Sequence, residues 1–244
     1  MTDLSNKYRP KSLETFIGQS HIIGKDKALY KLIKKRDIPH LFFYGKPGTG
    51  KTTLAKIIAR EINTDYYYFN ATSIKIEDLR KVFDKYSNSL IKPLIFIDEV
   101  HRLSKNQQEV LLPIMENYDA IIIGASTENP FFTLTSAIRS RSFLYEFKPF
   151  TKEEMEKILD ISLTDLDLTI DDIAKEYLII SSSGDARAML TLLNFSSKVS
   201  TNIDIDLLKE LRENVIGDGV SSSDTHYDLA SAMIKSMRGS DVDA

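Results

Sequence analysis

Apolar positions along this chain follow two rhythms. Up to residue 148, short unbroken apolar runs alternate with stretches of helical spacing. The runs are Leu41-Phe42-Phe43-Tyr44, Tyr66-Tyr67-Tyr68-Phe69, Leu94-Ile95-Phe96-Ile97 and Ala120 to Gly124. Runs of this length bounded by turn residues predict buried strands. Between them, residues 26–36 set Leu29, Leu32 and Ile33 among Lys27, Lys31, Lys34, Lys35 and Arg36, an amphipathic helix with a basic outer face. That face reads first as a solvated lysine surface and second as a DNA patch. Residues 53–60 (Leu54, Ile57, Ile58), 75–86 and 104–116 are also helical in period. Pro113 should bend or end the last of these early. Residues 1–20 read as irregular and extended around Pro10.

After Pro149 the rhythm changes. Strand runs cease, and helical spacing takes over at 151–162, 170–181, 185–198 and 204–214. Thr151 with Glu154 forms a capping box for the first of these. The shift predicts three parts: a core at 1–148, a small all-helical domain at 149–214, and residues 215–244 beyond it. In the third part, 217–224 reads as a linker and 226–238 as a final helix. Strands alternating with helices argue for an α/β core with a parallel sheet and helices on both faces.

Composition narrows the function classes. The chain has 244 residues, 42% hydrophobic and 27% charged, with formal net charge −3. A balance this close to neutral does not suggest a strongly basic nucleic-acid binder, so any DNA contact must come from a local patch. There is no cysteine, which excludes disulfides and thiolate metal sites. The histidines (His21, His40, His101, His226) lack paired metal spacing and read as structural. The apolar runs are too short to span a bilayer, and Met1-Thr2-Asp3-Leu4 lacks a signal pattern, so the expected location is the cytoplasm.

The chemistry centres on Gly45-Lys46-Pro47-Gly48-Thr49-Gly50-Lys51-Thr52, which fills every fixed position of G-x-x-x-x-G-K-[ST] between a strand and a helix. Its glycines let the backbone wrap phosphate oxygens, and the helix N-terminus adds partial positive charge. Lys51 is expected to reach the β- and γ-phosphates of ATP, and the Thr52 hydroxyl to ligate Mg²⁺; Thr53 completes the binding segment. Asp98-Glu99 ends an apolar run, at the sheet edge where open α/β folds bind ligands. Asp98 is the second metal candidate, and Glu99 the group that polarises the attacking water.

Three further positions join these. Thr127, just past another strand, offers a hydroxyl to the γ-phosphate or the water. Arg139 and Arg141 are candidates for an arginine presented to a neighbouring subunit's nucleotide. Arg187, at the opening of a second-domain helix, is placed to report on the nucleotide. For each arginine a surface ion pair is an equal reading.

Together these segments resemble the AAA+ ATPases of the clamp-loader and branch-migration neighbourhood. Within it they are similar to the family of replication-associated recombination protein A and the Werner-helicase-interacting proteins. Besides the phosphate loop, the likeness is carried by Tyr8-Arg9-Pro10, Ile17-Gly18-Gln19, Asp98-Glu99-Val100-His101-Arg102, Gln107-Gln108, Gly124 to Pro130, Ser140-Arg141 and Gly184-Asp185-Ala186-Arg187. The resemblance implies a P-loop AAA+ core whose parallel sheet has five strands, followed by a small all-helical lid, and roles for single residues. Thr127 becomes sensor 1, Arg141 the trans-acting finger and Arg187 sensor 2, while Tyr8, Arg9, Pro10, Ile17 and Gly18 line the adenine pocket.

It further implies an ATPase, stimulated by DNA, at replication forks and in recombination and repair. Forked and single-strand/duplex DNA, single-stranded-DNA-binding protein and further copies of the chain are the implied partners, with a nucleoid-associated cytoplasmic location. Alternatives are a clamp-loader subunit, a Holliday-junction branch-migration motor, or a nucleotide-gated scaffold with little turnover. Lys46 replaces the family's usual proline, and Arg139 is a second arginine beside the expected finger. The chain ends at Ala244, where the family pattern continues into an oligomerisation domain that Tyr227 to Ser240 begins to resemble, so its oligomeric state stays open.

Overall fold

The computed structural model describes residues 4–86, 89 and 91–216. The expected linker, the final helix and the Tyr227–Ser240 segment lie outside the described residues. In chain order the elements are α1 (Leu4–Lys7), α2 (Ser20–Ile23), α3 (Ala28–Lys35), β1 (His40–Tyr44), α4 (Lys51–Glu61), β2 (Tyr66–Asn70), α5 (Ile76–Tyr86) and β3 (Leu94–Asp98). They continue with a 3₁₀ turn at Val100–Arg102, α6 (Lys105–Asn117), β4 (Ile121–Ser126), α7 (Ser136–Arg139), β5 (Ser142–Glu146), α8 (Lys152–Leu166) and β6 (Thr169–Ile170). The last are α9 (Asp172–Ser181), α10 (Ala186–Val199), β7 (Asn202–Ile203) and α11 (Ile205–Ile216). The described residues form two compact units, one of Pro10–Lys148 and one joining residues 4–9 to residues 149–216.

The core unit is a five-stranded sheet in the order β2-β3-β4-β1-β5, with every pair parallel. Side chains alternate between its faces. Leu41, Phe43, Leu94 and Phe96 enter one apolar cluster with Leu54, Ile57 and Ile58 of α4. Phe42, Ile95 and Ile97 enter the other with Leu79 and Val82 of α5 and Leu111 and Ile114 of α6. Continuous apolar runs therefore mean strands covered on both sides.

Several elements differ from the sequence reading. Residues 1–20 hold the short helix α1 and the start of α2. The tyrosine run is a strand, but as the sheet's edge it is only half-buried. Tyr68 is 50% exposed, and Tyr66 and Tyr68 both stack on Phe96 of the next strand. The fifth strand, β5, lacks an apolar run because it is the opposite edge, with Phe143 exposed. Helix α6 runs through Pro113 to Asn117. Pro113 faces solvent, so the Glu109 carbonyl it leaves unpaired lies on the exposed side, while buried Leu111, Ile114 and Met115 hold both turns to the sheet.

The second unit is not all-helical. Residues β6 and β7 pair in parallel, two residues each, between helices α8 to α11. Its core joins Leu159, Tyr177, Leu178, Met189 and Leu193, and buried Leu4 of α1 belongs to it. The Thr151/Glu154 capping box is formed in both directions at the start of α8. Among the described residues no helix is long and apolar enough to cross a membrane.

Candidate active site

The parallel order carries the C-terminal ends of β1, β3 and β4 to one sheet edge. The phosphate loop leaves β1, Asp98 ends β3, and Thr127 follows β4, which lies between the other two. The first backbone N–H of the loop, at Gly45, donates to the Ser126 carbonyl at 3.2 Å and so ties the loop to the residue before Thr127.

The loop is built for close approach. Gly45, Gly48 and Gly50 have φ of 134°, 67° and 99°. At Gly45 a Cβ would lie 2.2 Å from the Phe147 carbonyl oxygen, so only glycine fits. Gly50 is the left-handed N-cap of α4, whose first residues are Lys51, Thr52 and Thr53. The Lys51 side chain lies along the loop, its Nζ donating to the carbonyls of Gly45 (2.6 Å) and Lys46 (2.8 Å). Thr49 Oγ1 donates to the Lys46 carbonyl at 2.9 Å and closes the turn around Pro47.

The loop is latched from behind by Gln19, a buried residue whose own backbone is left-handed. Its Nε2 donates to the carbonyls of Thr49 (3.3 Å) and Lys148 (2.7 Å), and its Oε1 accepts from the Lys148 N–H (3.0 Å). Sequence reasoning had Gln19 only as a family signature, because its partners lie 30 and 129 residues away.

At the end of β3, Asp98 Oδ1 accepts the Glu99 N–H (3.1 Å), and its Oδ2 accepts the Tyr68 hydroxyl (3.1 Å). Burial, and then the Asp98 charge, hold the Tyr68 phenol above its ordinary range, so it stays a donor. Glu99 has φ 56° and caps the 3₁₀ turn. Its Oε2 lies 3.2 Å from Nε2 of His101, whose Nδ1 lies 3.1 Å from Ser126 Oγ. The sequence alone presents His101 as a structural histidine, and the cue to its place is its spacing two residues after Glu99 on a tight turn.

Thr127 is exposed beside this cluster. The following loop is fixed by Gln108 of α6, whose Nε2 donates to the Leu103 and Thr133 carbonyls while its Oε1 accepts the Thr135 N–H. That loop leads to the two arginines. The Arg139 guanidinium lies 4.0 Å from the Phe131 ring centroid. Arg141 donates to Glu116 Oε1 (2.5 Å) and to the Ala137 carbonyl (2.9 Å). Each is engaged within its own chain.

Pro10, Ile17 and Gly18 belong to the core unit, and Tyr8, Arg9 and Arg187 to the helical unit. Tyr8 donates its hydroxyl to Asp165 at 2.6 Å, and the same carboxylate, at 2.5 Å from Lys7, is held below the usual range by that lysine first and by Tyr8 second. Arg9 Nε donates to the Ser5 carbonyl. Arg187 is exposed in the first turn of α10.

The residues fit a magnesium-bound triphosphate. The glycine conformations suit a loop wrapped on an anion, and Lys51 already lies against the loop's backbone. Among the described residues no group of three His, Asp or Glu forms a protein-only metal cage. Magnesium at Thr52 and Asp98 would share its shell with phosphates and water, neutralising charge on the transferring group.

Comparison with known proteins agrees with this geometry. The family model of the Holliday junction DNA helicase RuvB P-loop domain matches residues 8–140, and that of an AAA C-terminal domain matches 164–238. Over 261 residues the chain is 38% identical to replication-associated recombination protein A of Haemophilus influenzae, covering 99% of this chain and 58% of that one. Over 274 residues it is 35% identical to ATPase WRNIP1 of Dictyostelium discoideum, covering 99% and 31%. The chain thus spans 58% of the length of the first of these curated relatives and 31% of the second. The Thermotoga maritima RuvB Holliday junction branch migration motor matches with TM-score 0.71 and 30% identity, over 84% of this chain and 72% of that one. The chain therefore belongs to the RuvB-type P-loop family of AAA+ ATPases, in which it is similar to replication-associated recombination protein A and WRNIP1.

Proposed function

We propose that this chain binds ATP with Mg²⁺ and hydrolyses it in the service of replication-fork maintenance, recombination and repair. The observation that carries the reading is one sheet edge that holds a complete phosphate loop, the Asp98-Glu99 pair and Thr127. On it, Lys51 and the loop amides bind the phosphates, and Thr52 and Asp98 hold the metal. Glu99 takes the proton of the attacking water, and Thr127 orients that water or the γ-phosphate. Arg141 serves a neighbouring copy's nucleotide. The roles of Tyr8, Arg9, Pro10, Ile17, Gly18 and Arg187 toward the nucleotide rest on family resemblance alone.

The replication and recombination setting is supported by the name of the relatives called replication-associated recombination protein A, and the fork and repair setting is our extension of it. DNA stimulation, assembly with further copies, recruitment by single-stranded-DNA-binding protein and a nucleoid-associated cytoplasmic location are parts of the same proposal. One observation favours a second reading, a nucleotide-gated scaffold with little turnover: the Arg141 side chain is paired to Glu116 of its own chain.

Calorimetry with ATP and steady-state turnover with forked, single-stranded and duplex DNA decide between them. We expect Lys51→Ala to abolish nucleotide binding and Glu99→Gln to keep binding while stopping turnover. Turnover that survives Glu99→Gln removes Glu99 from its role, and binding without turnover in the unsubstituted chain favours the scaffold.

A further inference from the structure

We infer that His101 is a positioning residue for Glu99, tying the carboxylate of that base to the loop that carries Thr127. The inference rests on the reading of Glu99 as the hydrolytic base.

The path is continuous. The Glu128 N–H donates to Ser126 Oγ at 2.9 Å, Ser126 Oγ lies 3.1 Å from His101 Nδ1, and His101 Nε2 lies 3.2 Å from Glu99 Oε2. Ser126 and the His101 side chain are 1% and 8% exposed, so neither exchanges these partners freely for water. A carboxylate only accepts, so Nε2 must carry the proton it donates to Glu99. With Nδ1 unprotonated, the Ser126 hydroxyl can donate to it while accepting from Glu128. One tautomer then satisfies every partner, and the bonds run in series between the Thr127 loop and the base. The Glu128 carboxylate, 3.9 Å from Nε2 and largely exposed, is beyond hydrogen-bond range.

The backbone places the ring by packing. Val100 is fully buried at the start of the 3₁₀ turn. Gly124 of β4 makes room for it, since a Cβ there would lie 2.7 Å from Val100 Cγ1 and 2.3 Å from the Phe42 ring. Val100 so seated sets the next residue, His101, over Ser126, two positions along β4 from Gly124. Glu99 before it has φ 56°, a conformation that needs surrounding support. The ring bridges a locally strained base to the strand end that precedes Thr127. A shift of the Thr127 loop is thereby transmitted to the Glu99 carboxylate.

The test separates positioning from mere packing. In His101→Ala we expect kcat for ATP to fall about tenfold to a hundredfold, the loss typical of a misplaced reacting group, with nucleotide Kd within about twofold of the parent. His101→Gln, which keeps an N–H donor, should recover part of kcat. Ser126→Ala, which breaks the same path at its other end, should lower kcat in the same direction. The double variant should lose no more than the worse single one, because the two act through one path. An unchanged kcat in His101→Ala, or fully additive losses, overturns the inference.

An imidazole ¹⁵N spectrum of the unsubstituted protein reads the tautomer without turnover. We expect the Nε2–H form, with a ring signal that moves in Glu99→Gln. An Nδ1–H form, or a signal indifferent to Glu99→Gln, overturns the inference even if the protein proves inactive. Absence of turnover in the parent chain counts against the proposed hydrolysis instead.

Discussion

Arg141 Nη2 and Glu116 Oε1 lie 2.5 Å apart within one chain, and the same guanidinium donates to the Ala137 carbonyl. A finger that serves a neighbouring copy has to exchange this partner for phosphate oxygens. Both side chains are substantially exposed, so the pair adds under about 1 kcal/mol to stability. We expect Arg141→Ala to leave the unfolding midpoint nearly unchanged. Its ATPase rate should fall about a thousandfold or more where the parent rate climbs faster than linearly with protein concentration. Arg139→Ala, which loses a stack on Phe131, should cost far less. The reverse order of losses would make Arg139 the finger.

Gly45 is the point at which the phosphate loop admits no side chain. Its φ of 134° lies outside the range of other residues, and the Phe147 carbonyl stands 2.2 Å from where a Cβ would be. That oxygen is backbone, next to a ring buried in the core, so it cannot swing aside. Gly45→Ala is expected to cost at least about 1–3 kcal/mol in backbone strain alone and to displace the loop from Ser126. Urea midpoints and nucleotide titration should both move. A variant as stable as the parent would mean that the loop relaxes more readily than its packing implies.

Gln19 turns the loop's mounting into a measurable quantity. Gln19→Ala removes three hydrogen bonds at once and strands the carbonyl of Thr49 and both backbone groups of Lys148. For buried partners left unsatisfied, the expected loss is about 1–3 kcal/mol. Because one partner is Thr49 of the loop itself, nucleotide affinity should weaken together with stability. Gln19→Glu keeps the acceptor but turns a carboxylate oxygen toward the Thr49 and Lys148 carbonyls in a buried site, and should cost at least as much as Gln19→Ala. An affinity unmoved by Gln19→Ala would reduce the latch to a purely structural clamp.

What the linear sequence reveals here follows from the range of the forces involved. Local rules sufficed for the phosphate loop, for Asp98-Glu99 at a strand end and for the Thr151 capping box, since turn, strand and cap chemistry act over a few residues. The edge strands were harder. The tyrosine run looks buried because periodicity does not say which strand ends the sheet, and β5 looks like no strand because its outer face is wet. Pro113 failed as a helix terminator because tertiary burial on both sides outweighs one lost backbone bond. The β6–β7 pair joins two-residue segments more than thirty positions apart, too short for any local signature. Gln19 meets Thr49 and Lys148, and His101 meets Ser126, only because folding brings these distant positions close.

His40 shows the same long-range logic and makes the fold sensitive to acid. Its Nε2 donates to the Met115 carbonyl of α6 at 3.0 Å, and its Nδ1 accepts the Ile122 N–H of β4 at 3.1 Å. The ring is fully buried and stacks on Tyr118 with centroids 4.8 Å apart. One nitrogen must accept, so the ring is held neutral. Burial drives its pKa below the ordinary 6.5, and the Met115 carbonyl only partly opposes that. The unfolded chain therefore binds a proton that the folded one refuses. Stability from this site is complete above about pH 6.5 and declines as pH falls below that value, where unfolded His40 becomes charged. Urea midpoints measured from pH 7.5 down to 5.5 should fall more steeply for the parent than for His40→Gln, which cannot titrate. His40→Gln is also expected to be less stable than the parent at pH 7.5, since it cannot reproduce both bonds and the stack. Parallel pH profiles for the two proteins would show that the fold tolerates a charged His40 and that burial there is weaker than its contacts indicate.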